Sequence, residues 1–239
     1  MKFSCILALV AMLAVFRVTG AGAQPGVEEA IQVIQDEWAE VFYRLPEDQQ
    51  VEKFTALLAR VRAVKEQYPN RAEPLILEAI ILCTYAAADW GLSSLSRIRE
   101  ARELLVKSID FDPKAMEASA FITLGNLYYR LPGWPISYGD DNLARQYLEA
   151  ALRLYPNALD ANYFLGDFWL HEGDYDKALG YLEKADQAPI RASQKLSDGK
   201  IKEELGVALN AARKRENTHS DFFSDLLPDS FEYEDETRQ

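Results

Sequence analysis

An all-α chain, built as a stack of helical hairpins, is the fold that three features of these 239 residues predict. Apolar residues recur at helical spacing through most of the chain. Successive segments end alike, at Tyr68-Pro69, Asp112-Pro113 and Tyr155-Pro156. A small residue (Ala79, Gly125, Gly166) stands at the matching place in three successive first helices, as repeated helix crossings require.

The chain opens on MKFSCILALVAMLAVF, one lysine followed by an apolar run from Cys5 to Phe16. That run is short for a membrane span and suits the core of a signal peptide. Ala21-Gly22-Ala23 supplies the small residues for cleavage before Gln24, so residues 1–23 read as a leader and the protein as periplasmic. Residues 24–70 read as an N-terminal hairpin, with amphipathic helices over 28–44 and 48–67. Residues 71–190 hold the repeats. A weak unit comes first, with a helix over 72–88, the connection DWGLSSLSR, and a second helix carrying Ala101, Leu105 and Ser108.

Two clearer units follow. In ALDANYFLGDFWLHEGDYDKALGYLEKADQAP, Leu165-Gly166 is followed by Trp169 and then by Ala178, Leu182 and Ala185. Gly166 and Ala178 are small where two antiparallel helices cross, and the large residues fill the groove beside them. Gly173-Asp174 makes the turn, with Asp174 as N-cap. The unit before it repeats this with Leu124, Gly125, Tyr128, Ala144, Leu148 and Ala151. There the glycine and the first alanine are nineteen residues apart, against twelve in the last unit. The extra length is LPGWPISYGDD: Pro132 ends a helix, Gly133 and Pro135 shape the turn, and Asp140 or Asp141 caps the next helix. Trp134 and Tyr138 read as aromatic plugs of this loop, and are also candidates for contact with a ligand. Residues 191–216 carry a stripe of Ile201, Leu205, Ala208, Leu209 and Ala212 that suits a capping helix. Residues 217–239, seven acids against one arginine with interspersed phenylalanines, read as a disordered acidic tail.

The units at 118–156 and 159–189 resemble tetratricopeptide repeats. More specifically, GLSSLSRIREARELL, LPGWPISYGDDNLARQYLEAAL and NYFLGDFWLHEGDYDKAL resemble exported bacterial repeat proteins related to the T component of TRAP transporters, over residues 70–215. That resemblance implies a periplasmic all-helical protein with an apolar cavity or pore, oligomerisation, and contact with a solute-binding protein.

Charge and chemistry narrow the function. Removing residues 1–23 takes Lys2 and Arg17 and no acid, which moves the formal charge from −12 to −14. Such a surface repels nucleic acid and anionic lipid, and past the leader no segment reads as a membrane span. Cys83, the one cysteine outside the leader, follows Ile80-Ile81-Leu82 and is expected to be buried. His171 and His219 have no partners at metal-ligand spacing, and no hydrolase, nucleotide or dinucleotide motif is present. We therefore expect no enzyme, cofactor or metal.

Function then falls to surfaces. Concave-face positions of the two clear repeats give Asn126, Tyr129, Arg130, Tyr163, Asp167 and His171, a mixture suited to a peptide groove. The leading expectation is a scaffold that binds a protein or peptide there. The alternative is a carrier of a small hydrophobic ligand linked to transport.

Overall fold

The structure is a computed structural model that describes residues 26–89, 93–133 and 137–216. The leader, Trp134 and the acidic tail lie outside the described residues. Nine α-helices account for most of the described chain, with no strand among them. They are α1 (Val27–Arg44), α2 (Glu47–Gln67), α3 (Glu73–Ala88), α4 (Ser94–Phe111), α5 (Ala115–Arg130), α6 (Asp141–Leu154), α7 (Leu159–His171), α8 (Tyr175–Gln187) and α9 (Lys195–Lys214). A 3₁₀ turn, Ala192–Gln194, leads into α9. The architecture is an all-α solenoid of the tetratricopeptide type, closed by a C-terminal helix.

Local chemistry sets the boundaries. Pro46 stops α1, and Gln50 of α2 reaches back to donate to the carbonyls of Phe42 (3.3 Å) and Leu45 (2.8 Å). Those acceptors have no partner within the helix that ends there. Asp140 caps α6 by accepting the Leu143 N–H, and Asp174 caps α8 by accepting that of Lys177, as the sequence predicts. The DWGLSSLSR connection differs from expectation. Only a short link separates Asp89 from Ser94, because α4 begins a full seven residues before Ala101. Most of the added length lengthens a helix rather than a loop.

The small residues do what helix crossing demands. A Cβ on Gly125 would sit 2.5 Å from Leu148 Cγ, and one on Gly166 would sit 2.8 Å from two carbons of Leu182. Ala101, Ala144 and Ala178 are fully buried opposite them along the stack. Each hairpin is thereby drawn close, and α3, apolar nearly all round, is buried on most of its circumference.

The long loop is an ordered connector where it is described. Gly139 N–H donates to Pro132 O (3.0 Å), and Asp140 N–H donates to Tyr128 O (2.8 Å). A Cβ on Gly139 would lie 2.0 Å from Leu131 O, so only glycine fits that turn. Tyr138 packs edge-on against Tyr128 with centroids 5.5 Å apart, and its hydroxyl donates to Ile98 O (3.2 Å).

The odd-numbered helices form the inner layer. Each packs on the next, α1 on α3, α3 on α5, α5 on α7 and α7 on α9, and α9 then packs on α1. The even-numbered helices lie outside them. The stack is thus a closed ring, and its seam is the contact between the first and last helices. Gln32 of α1 donates to Ser193 O across that seam (2.8 Å), and Tyr43 shares a hydrogen bond with Ser197.

Replacing Gly166 by Leu forces a branched side chain into the α7–α8 crossing. We expect a loss of about 1–3 kcal/mol or more, read as a lower melting temperature by circular dichroism with helicity retained below the transition. An unchanged melt would contradict the packing described for this repeat.

Candidate ligand cavity

Closure of the ring leaves a space inside it. A cavity of about 210 Å³ is lined by all five inner helices, and its wall is mostly apolar. Trp38, Phe42 and Tyr43 come from α1, Ile80, Cys83 and Thr84 from α3, Ile122 and Leu127 from α5, Phe164 from α7 and Ile201 from α9. Helical spacing explains the set: Trp38 and Phe42 are one turn apart and stack with centroids at 5.4 Å. Trp38 is fixed further by donating its indole N–H to Thr84 Oγ1 (3.1 Å). Cys83 is shielded from bulk water but faces this cavity, and burial pushes its thiol from an ordinary 9 up to about 12. That thiol is a packing group rather than a nucleophile.

Polar groups gather at two places on the wall. At the first, Arg130 donates to Asp167 Oδ2 (2.6 Å), which also accepts the Tyr129 hydroxyl (2.5 Å). Burial raises the Tyr129 hydroxyl well above its usual pKa, and the neighbouring Asp167 adds to the shift. At the second, Arg191 holds three carboxylates from three helices. It meets Asp198 Oδ1 (2.6 Å) and Asp160 Oδ2 (3.1 Å), and it pairs with Glu117. Asp198 is fully buried and Asp160 nearly so. Burial raises the Asp160 carboxyl above the usual range, with Arg191 opposing the shift. The Glu117 arm is supported by an unusual backbone. Met116, Glu117 and Ala118 have φ of +47°, +55° and +63°, a left-handed turn at the start of α5 that costs L-residues about 1–2 kcal/mol each.

The concave-face residues expected to form a groove are therefore divided. Asn126 and Arg130 line the cavity, together with Ser119, Ile122 and Asp160 from the same repeat positions. Tyr163 and Asp167 are completely buried and Tyr129 is nearly so. At the α7 positions, α9 lies on the face expected to form the groove, where Tyr163 and Leu170 pack with Ile201, Leu205 and Leu209. His171 sits at the end of α7 beside Tyr129, with ring centroids 5.7 Å apart. Ligand atoms of Asp141, His171 and Glu172 all lie within 4.8 Å of one another, a proximity across two repeats that sequence spacing does not reveal. Both carboxylates are exposed, and no further ligand joins them among the described residues. Tyr138 belongs to the loop packing described above, and Trp134 lies outside the described residues.

Several wall residues had no place in the sequence reading. Trp38, Phe42 and Thr84 carry an apolar-face signal, but nothing in it says what the face meets. Arg191 follows Pro189 as a lone basic residue in a stretch that looks like a simple connector. A second, larger and more polar cleft of about 790 Å³ lies over the α1–α9 seam, bordered by charged residues such as Glu37, Arg44 and Lys200. Gln35, Gln194 and Ser197 line both spaces, so the seam is the partition between the interior and the outside.

Comparison with known families agrees with this geometry. The tetratricopeptide repeat family matches residues 142–192, which span α6 to α8 and reach the turn before α9. No curated protein matches the chain. Repeats of this family generally mediate protein–protein interaction. Among the described residues, no helix is long and apolar enough to cross a membrane.

Arg191→Met keeps the stem of the side chain but leaves Asp160 and Asp198 buried without their cation. We expect destabilisation of about 3–5 kcal/mol, measured by urea denaturation at neutral pH. A variant as stable as the parent would remove Arg191 from its place as the ion-pair centre that joins α5, α7 and α9.

Proposed function

We propose that this chain is an exported periplasmic carrier for a small, largely apolar ligand held inside the helical ring, acting beside a transport system of the kind its sequence resembles. The observation that carries this reading is the apolar cavity of about 210 Å³ bounded by α1, α3, α5, α7 and α9. An apolar cavity of about 150 Å³ suffices to bind benzene, so a space of this size suits a ligand of about ten heavy atoms. Enclosure by aromatic and aliphatic side chains, with a few polar groups set into the wall, is the usual composition of such sites.

A peptide scaffold is the less favoured reading. The surface on which tetratricopeptide repeats commonly hold a peptide is here the inside of the ring, and α1 and α9 occupy its open end. A protein partner, such as a solute-binding protein, then meets the outer helices or the seam. Its contact would carry the ligand's arrival or departure rather than form a groove complex.

The experiment uses protein recovered from the periplasmic fraction of its own host. Chain beginning near Gln24 is expected to release a small apolar molecule on organic extraction, identified by mass spectrometry. Ala87 lines the cavity, and Ala87→Phe fills part of it with a ring. This variant is expected to melt like the parent and to release at least tenfold less of that molecule. Equal yields from the two proteins, or a parent that carries nothing and takes up no apolar probe, would overturn the proposal.

A further inference from the structure

The reading of the cavity as a ligand site is the basis here, and its polar wall specifies the ligand's head group. One strip of α5 supplies three neutral polar side chains to the wall. Ser119, Thr123 and Asn126 are four and three residues apart, so they share one face, and all three line the cavity. Each has already committed a donor to the backbone of its own helix. Ser119 Oγ donates to Met116 O, Thr123 Oγ1 to Ser119 O (2.8 Å), and Asn126 Nδ2 to Ile122 O (3.0 Å). What remains on this strip is mainly acceptor capacity: two hydroxyl oxygens and Asn126 Oδ1, which is buried at the wall and has no hydrogen-bond partner. Thr84, from α3, differs, since its hydroxyl points to Ile80 O and Ile81 O (3.1 Å each) and its oxygen already accepts from Trp38.

Charge points the same way. The two guanidinium groups on the wall, Arg130 and Arg191, are met by four carboxylates, those of Asp167, Glu117, Asp160 and Asp198. Both guanidinium groups are thus already engaged by carboxylates of the protein, Arg130 by Asp167 and Arg191 by Glu117, Asp160 and Asp198. A carboxylate brought against the α5 strip would set acceptors against acceptors. The amides of Gln35 and Gln194 also line the cavity, but they come from α1 and from the turn before α9 rather than from the α5 strip.

We infer that the cavity selects apolar ligands whose polar group donates hydrogen bonds and bears no negative charge, an alcohol or an ammonium, over the matching carboxylate. The donor satisfies the orphan acceptor of Asn126, whose neglect in a buried wall is otherwise unfavourable. Discrimination by an unsatisfied buried polar group is steeper than discrimination by size alone.

Three probes of one chain length test this: octan-1-ol, octylammonium and octanoate, titrated into the mature protein at pH 7 and followed by calorimetry and by Trp fluorescence, since Trp38 lines the cavity. Octanol and octylammonium are expected to bind at least tenfold more tightly than octanoate. Asn126→Leu, which removes the acceptor at similar volume, is expected to reduce the preference for octanol at least fivefold. Should that variant fail to fold, Thr123→Val is expected to move the preference in the same direction. Octanoate binding as tightly as octanol would overturn the head-group inference while leaving the cavity reading in place. A preference unchanged in both variants would overturn the assignment to α5. Failure of all three probes to bind would instead remove the cavity reading on which the inference rests.

Discussion

Arg191 is the point on which the ring depends. It sits just before α9, and its guanidinium joins Glu117 at the start of α5, Asp160 at the start of α7 and Asp198 in the first turn of α9. Burial works against its charge, yet Asp198, Asp160 and Glu117 outweigh that and raise its pKa. Three helices are thereby held at one place by opposite charge. The arrangement is costly to assemble, because buried ions are stripped of water. Its consequence is geometric specificity: α9 has one seat on the inner layer, and from that seat it reaches α1. The left-handed turn at Met116–Ala118 fits the same account, since it brings Glu117 to Arg191 while Met116 faces the cavity. Local strain of this kind persists only where surrounding contacts over-determine it.

Most of the helical architecture was legible in the sequence, for a definite reason. Close helix crossings leave small residues at fixed intervals, and Gly125, Gly166, Ala144 and Ala178 mark them. Prolines and aspartates mark the helix ends, as Asp140 and Asp174 do by capping α6 and α8. The candidate site was less legible. A repeat pattern reports how one hairpin meets the next, but closure depends on curvature summed over every hairpin. Tyr163 occupies a position that faces a groove in an open solenoid, and here α9 covers it. Asn126 and Arg130 stand one repeat earlier, where the ring is hollow, and remain on the cavity wall. The same residue class thus has two fates, set by an element outside the repeat.

Departures from the repeat pattern carry much of the individuality. Asn162 stands where a large apolar residue is usual, and it is fully buried while donating to Pro156 O and Ala158 O. It secures the entry to α7 by hydrogen bonding instead of by volume. The long α5–α6 connection is similarly constrained, with Gly139 pressed against the Leu131 carbonyl and Tyr138 anchored on Ile98. These features fix the position of α5, the helix that contributes most residues to the cavity. Scaffold and site are therefore coupled through ordinary packing.

Whether the ring is closed is the claim beneath all of this, and cross-linking across the seam measures it directly. Gln32 and Ser193 are joined by a hydrogen bond in the structure. In protein spanning residues 24–239 and carrying Gln32→Cys, Ser193→Cys and Cys83→Ser, a short bifunctional maleimide is expected to link the two positions within one chain in high yield. The product is then identified by mass spectrometry of the digested monomer. Both cysteines reacting singly, with no intrachain link, would mean that α1 and α9 stand apart and that the solenoid is open.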